Sequence, residues 1–123
     1  MDPILVVDDD PANQRMLSYT LRKAGYAVHL AADGQLGLEA LRREKASLAI
    51  IDIAMPVMDG LTLLRQIRAD EQLRRTPVII LTASGDDEES AAAQRDGADG
   101  FLTKPSSSRA ILEMVQKFAS VAE

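Results

Sequence analysis

The chain of 123 residues has no cysteine and no tryptophan. Without cysteine it can form neither disulfides nor thiolate metal sites. Its one histidine, His29, leaves too few imidazoles for a soft-metal centre. Aromatic residues make up only 3%, so Leu, Ile, Val, Met and Ala must build the core. Basic charge is the minority, 14 Lys and Arg against 19 Asp and Glu, for a net −5. That balance argues against direct nucleic-acid binding, because phosphate backbones are held by clustered Lys and Arg. The longest apolar stretch, "LAIIDIAMPVM", is broken by Asp52 and Pro56 and is too short to cross a bilayer. The opening "MDPILVVDDD" lacks the basic start of a signal peptide. A cytoplasmic protein without membrane insertion is the expectation.

What is present is a regular alternation of short apolar runs and amphipathic segments. Residues 4–7, 48–53 and 78–81 are continuous and rich in β-branched side chains, as strands buried on both faces should be. Residues 27–31, where Val28 and Leu30 alternate against His29, and residues 101–103 are weaker and suit sheet edges. His29 points outward in this pattern, with no partner to make it a phosphohistidine carrier. Between the strands, Met16, Leu17, Thr20, Leu21 and Ala24 share one helical face over residues 11–24, and Gly25 is a natural terminator. The same period recurs through Leu38 and Leu41, through Leu61, Leu64, Ile67 and Arg68, and through Leu112, Val115, Phe118, Ala119 and Ala122. Residues 87–96 form a fourth helix, acidic at its start and alanine-rich in its middle. The run Asp86 to Glu89 complements the positive end of that helix dipole. Strand–helix units fill residues 1–123, so one α/β domain with a doubly wound parallel sheet is expected, with no second domain.

In open α/β sheets, sites form at the carboxyl ends of the strands. The first strand delivers Asp8, Asp9 and Asp10 there, the third Asp52, the fourth Thr82 and the fifth Lys104. Asp10 before Pro11 reads as a helix N-cap with proline at the first helical position. Asp59–Gly60 likewise shapes entry to the third helix. The remaining carboxylates repel one another unless a cation compensates. An all-oxygen set suits Mg²⁺, and Mn²⁺ could substitute. A carboxylate beside such a cation can act as a nucleophile toward phosphorus. Lys104 and Thr82 are the right types to hold phosphoryl oxygens.

These residues carry a resemblance. The segments "ILVVDDD" (4–10), "LAIIDIAMPVMDG" (48–60), "PVIILTA" (77–83) and "DGFLTKP" (99–105) resemble, in order and spacing, the receiver domain of two-component response regulators. The resemblance implies a flavodoxin-like (βα)5 sandwich with strand order 2-1-3-4-5 and helices on both faces. It implies that Asp52 is the phosphoacceptor and that Asp8 and Asp9 hold Mg²⁺, Asp9 directly and Asp8 largely through water. The backbone carbonyl of Ala54 would be a further metal ligand. Lys104 would pair with the phosphoryl group, Thr82 would move toward it, and Phe101 would be the switch aromatic coupled to that threonine. The Lys104–Pro105 bond would be cis, which an X–Pro bond tolerates.

The partners implied are a sensor histidine kinase or histidine phosphotransfer protein as donor, and a downstream target or output domain. The chain would catalyse only its own phosphorylation and dephosphorylation. Its response would be read on the face made by the fourth helix, fifth strand and fifth helix. It would be a monomer, or a phosphorylation-dependent dimer through that face. Other readings meet obstacles in the residues. An aspartate-nucleophile phosphatase typically needs a second acid two residues on, where Ala54 stands. A vestigial interaction module would not keep every pocket residue, and a flavin phosphate would be repelled by "DDDPANQ".

Overall fold

The computed structural model describes residues 2–55, 57–82, 87–104 and 107–119. In chain order they form β1 (Ile4–Val7), α1 (Pro11–Lys23), β2 (Val28–Ala31), α2 (Gly34–Arg43), β3 (Leu48–Asp52), α3 (Gly60–Ala69), β4 (Val78–Thr82), α4 (Asp87–Arg95), β5 (Gly100–Thr103) and α5 (Ser108–Ala119). The strands make one parallel sheet in the order β2-β1-β3-β4-β5, as expected. The continuous runs of β1, β3 and β4 are buried at every position, and the weaker two strands are the edges.

Alternation along the strands divides the core into two layers. Leu5, Val7, Ala49, Ile51, Val78 and Ile80 pack on one face against Leu38 and Leu41 of α2, Leu63, Leu64 and Ile67 of α3, and Ala93 of α4. Ile4, Val6, Leu48, Ile50, Ile79 and Leu81 pack on the other against Leu17 and Leu21 of α1 and Ile111, Val115 and Ala119 of α5. Burying apolar area on both faces of a parallel sheet is what holds this architecture together. The register therefore decides which layer each rim side chain inherits.

Aspartates start three of the helices. Asp10 accepts from the Ala12 amide at 3.0 Å, Asp33 from Leu36 at 2.8 Å and Asp59 from Thr62 at 2.8 Å. The Asp10–Pro11 and Asp59–Gly60 expectations are thus met. Gly25, with φ +100°, ends α1 as a left-handed residue after the helix.

Several expectations need correction. β3 ends at Asp52, one residue early, though the Ile53 amide still donates to Leu81 O at 2.8 Å. Leu30 is 43% exposed rather than inward, because β2 is an edge strand only partly covered by α1. Met16 and Ala24 are exposed, and the buried stripe of α1 centres on Leu17 and Leu21. Arg68 does not join the apolar stripe of α3. Its guanidinium instead reaches Gly97 O, Arg74 O, Thr76 O and the Asp99 carboxylate at 2.7–2.9 Å, while Leu63 takes the buried place. His29 has a partner, with Nδ1 3.4 Å from Glu44 Oε2. Ala122 and the Lys104–Pro105 bond lie outside the described residues.

Candidate functional site

The strand ends bring Asp8, Asp9, Asp52 and Lys104 together at one rim. Asp8 follows β1 and Asp52 closes β3, and both continue the alternation of the layer facing α1 and α5. Lys104 follows β5 in the same phase, beyond Leu102. Parallel pairing thus aims two carboxylates and an ammonium at one volume from three strands.

Each group is held. Asp8 is fully buried; its Oδ1 accepts from the Asp10 amide at 2.9 Å and its Oδ2 from Asn13 Nδ2 at 2.7 Å. Lys104 Nζ donates to the same Oδ2 at 3.3 Å. Gln14 fixes the backbone beneath, with Nε2 2.6 Å from Asp8 O and 3.3 Å from Ala31 O. Asp52 is buried, with Oδ1 3.2 Å from Lys104 Nζ, and its carboxylate also accepts from the Ala54 amide. Lys104 is steadied in turn by its own amide, which donates to Thr82 O at 2.6 Å. Asp9 is exposed, yet one carboxylate oxygen each from Asp8, Asp9 and Asp52 lies within 4.8 Å of the others.

The floor beneath Asp52 depends on a glycine. A Cβ at Gly60 would overlap Asp52 O and lie 2.7 Å from Ile53 Cα, so only glycine lets α3 begin this close. In the connection between Asp52 and α3, Val57 has φ 70° and is 82% exposed.

Burial raises the Asp52 pKa above 3.8, with Lys104 opposing the rise and the Asp8 carboxylate adding to it. For Lys104, burial disfavours the ammonium, but the Asp52 and Asp8 carboxylates outweigh it and lift its pKa above 10.5. Three carboxylates face one ammonium, so the site retains an excess of negative charge. With oxygen donors only, that excess fits a hard divalent cation and not a soft one.

Thr82 lies one position beyond Leu81, on the opposite face from Asp52, toward α4. It is 1% exposed, and its Oγ1 donates to Glu89 Oε1 at 2.9 Å. Phe101 shares that face, opposite Ile80, and packs half-buried against the same layer. The rim therefore has two sides, with acid and lysine toward α1 and α5, and threonine and phenylalanine toward α4. Sequence reasoning did not single out Asn13, Gln14 or Glu89. The "DDDPANQ" stretch held the signal for the first two, as amides one turn into a helix that starts at the acidic rim.

A profile of the response regulator receiver domain matches residues 4–116. The chain belongs to the response regulator receiver domain family. This receiver is 40% identical over 113 residues to the transcriptional regulatory protein GltR of Pseudomonas aeruginosa, covering 92% of this chain and 47% of that protein. It thus spans about half the length of that curated relative, and 44% of the regulator RpaA of Synechocystis. Among solved structures it resembles the chemotaxis protein CheY4 of Vibrio cholerae, with TM-score 0.91 and 34% identity over 96% of this chain and 98% of that one. It also resembles the receiver domain of the sensor histidine kinase PA1611 of P. aeruginosa, with TM-score 0.90 and 33% identity over 97% of this chain and 98% of that one. That second receiver was solved with a magnesium ion coordinated in its active-site cleft. Phosphoacceptor signalling is the function of the family, and the acidic cluster of this receiver is one that could bind a metal. No helix among the described residues is long and apolar enough to cross a membrane.

Proposed function

We propose that this receiver takes a phosphoryl group from a phosphohistidine onto Asp52, in a Mg²⁺-dependent reaction, and signals by a change on its α4-β5-α5 face. One observation carries the reading: a buried Asp52 carboxylate, 3.2 Å from Lys104, in a cluster with Asp8 and Asp9. Asp52 and Asp9 would bind the cation directly, Ala54 through its carbonyl, and Asp8 largely through water. When bound, Mg²⁺ or Mn²⁺ would neutralise carboxylate charge and polarise phosphoryl oxygens.

An oxygen of Asp52 attacks phosphorus, and the bond from phosphorus to the donor imidazole breaks. The electron pair leaves with the imidazole nitrogen, and the product is an aspartyl phosphate. Asp8 stays fixed by Asn13 and the Asp10 amide, so the acidic wall does not reorganise during transfer. The Lys104 ammonium turns from Asp8 and Asp52 toward the added phosphoryl oxygens, holding charge without a proton leaving it. Hydrolysis of the acyl phosphate returns the carboxylate, so the chain acts only on its own phosphoryl group.

The response runs through the other side of the rim. Thr82 offers its hydroxyl to the phosphoryl oxygen, and Phe101 follows within the layer they share. Phe101, Met114 and Phe118 line a cleft of about 240 Å³ between α4 and α5, a surface that such a movement would reshape. A sensor histidine kinase or histidine phosphotransfer protein is the donor, and a downstream target or output domain reads that face. The protein would be a monomer, or a dimer formed through that face on phosphorylation; nucleic-acid contact would fall to other segments or partners. The protein would act in the cytoplasm. Transfer from a radiolabelled phosphohistidine protein tests it. Wild type should accept label with Mg²⁺ and not with chelator, whereas Asp52→Asn should accept none. Turnover of a free phosphate ester would point to a phosphatase instead.

A further inference from the structure

Glu89 has no part in the chemistry at Asp52, yet its carboxylate accepts a 2.9 Å hydrogen bond from the buried hydroxyl of Thr82. A threonine hydroxyl has one proton to donate. It can give that proton to Glu89 or to a phosphoryl oxygen, but not to both. Both acceptors are anionic, so the two bonds are of comparable strength and exclude one another.

The ends of α4 are held in different ways. Beyond its C-terminus, Arg65 Nη1 binds Asp96 Oδ2 at 2.9 Å, and Arg68 binds both Gly97 O and Asp99 Oδ2 at 2.9 Å. Asp99 Oδ2 also accepts from the Val78 amide at 2.8 Å, which ties this end to the start of β4. Gly97 takes φ +101°, and a Cβ there would come within 3.0 Å of Arg68 Nε, so the turn and the guanidinium interlock. Ala93 is buried in the core one turn earlier. Glu89 lies in the first turn of the helix and reaches the rim through Thr82. The helix is clamped at one end and fastened at the other by a bond to the residue that phosphorylation recruits.

We infer that Glu89 is a positioning residue that latches α4 to Thr82 in the phosphoryl-free receiver and competes with the phosphoryl group for the Thr82 hydroxyl. This rests on Asp52 being the phosphoacceptor. Phosphorylation pulls Thr82 away, frees Glu89, and lets the N-terminal end of α4 move about its clamped C-terminal end. The same bond makes the resting state harder to switch, because every phosphoryl group must displace a carboxylate.

Beryllofluoride, a phosphoryl mimic that binds carboxylates, tests the competition by titration in the presence of Mg²⁺. Glu89→Ala should lower the half-saturating concentration about tenfold, the factor that one charge-assisted hydrogen bond contributes. Glu89→Gln, which keeps a weaker neutral acceptor, should give a smaller gain. In a Thr82→Ala background, both gains should vanish, since coupling requires both partners. Amide resonances of residues 88–92 in mimic-free Glu89→Ala should move toward the positions they take in saturated wild type, while those of 96–99 stay. Binding that is unchanged or weaker in Glu89→Ala, or a gain that persists without Thr82, overturns the latch. A wild type that binds no beryllofluoride overturns the Asp52 assignment, and the competition falls with it.

Discussion

Lys104 Nζ lies 3.2 Å from Asp52 Oδ1, so the end of β5 supplies a cation to the carboxylate that closes β3. The same ammonium lies 3.3 Å from Asp8 Oδ2. One positive charge is therefore shared between two buried carboxylates. This arrangement separates what Lys104 does for the resting site from what it does for a bound phosphoryl group.

Lys104→Ala removes the shared ammonium and no oxygen donor. Mg²⁺ affinity should be unchanged or several-fold tighter, because the cation no longer competes with lysine for Asp8 and Asp52. Labelling by acetyl phosphate should fall by at least about tenfold, since the charge that meets the phosphoryl oxygens is gone. Titration calorimetry suits the first measurement, as the chain has no tryptophan to report binding. Loss of metal affinity would instead make Lys104 a support for the acidic wall.

Asp52 should lower the stability of the metal-free protein at neutral pH. Its pKa is higher folded than unfolded, so the folded state binds more protons between 3.8 and the raised value. The stability contribution of this group is thus greatest below 3.8 and declines as pH rises through that window. Asp52→Asn leaves Lys104 paired with Asp8 and removes the excess carboxylate. Its thermal midpoint at pH 7 should rise by a few degrees, on the order of 1 kcal/mol, with a flatter acid slope. The raised Lys104 pKa has the same slope in an alkaline window, with full stabilisation below 10.5 that is lost as pH climbs through its raised value, so at pH 7 Lys104 stabilises where Asp52 does not.

Gly60→Ala should damage both fold and site. The new methyl group would meet Asp52 O and Ile53 Cα, backbone atoms that cannot move aside without shifting the phosphoacceptor. A loss of about 1–3 kcal/mol is expected from such overpacking. Denaturation would report it, together with slower labelling by acetyl phosphate at temperatures where the variant stays folded.

Val57→Gly should do the reverse for stability. A β-branched residue at φ 70° costs energy, and this one is 82% exposed, so little packing is lost with its side chain. Relief of strain, less the added chain entropy, should leave a gain of about 0.5–1 kcal/mol in urea denaturation.

The fold was largely legible because buried parallel strands are written as unbroken apolar runs, and the rim residues come immediately after them. Asp8, Asp52 and Thr82 each end or follow such a run, and Lys104 follows the weaker edge strand β5, so chain order alone brings them to one edge. Contacts that cross between elements left no such trace. Glu89 sits in a run that complements a helix dipole, and nothing in its spacing marks Thr82 as its partner. Arg68 falls on the apolar stripe of α3 by period, yet its long side chain reaches past the core to backbone carbonyls. Leu30 keeps the alternation of a strand but loses its cover at the sheet edge. Periodicity reports which face a residue occupies and not what lies opposite.

Intact mass measurement after incubation with acetyl phosphate and Mg²⁺ decides whether Asp52 accepts a phosphoryl group. Wild type should gain the mass of one phosphoryl group, in an adduct stable to acid and lost in base, while Asp52→Asn should gain none. No adduct on wild type under conditions that label another receiver, or an equal adduct on Asp52→Asn, would contradict the assignment of Asp52 as the phosphoacceptor.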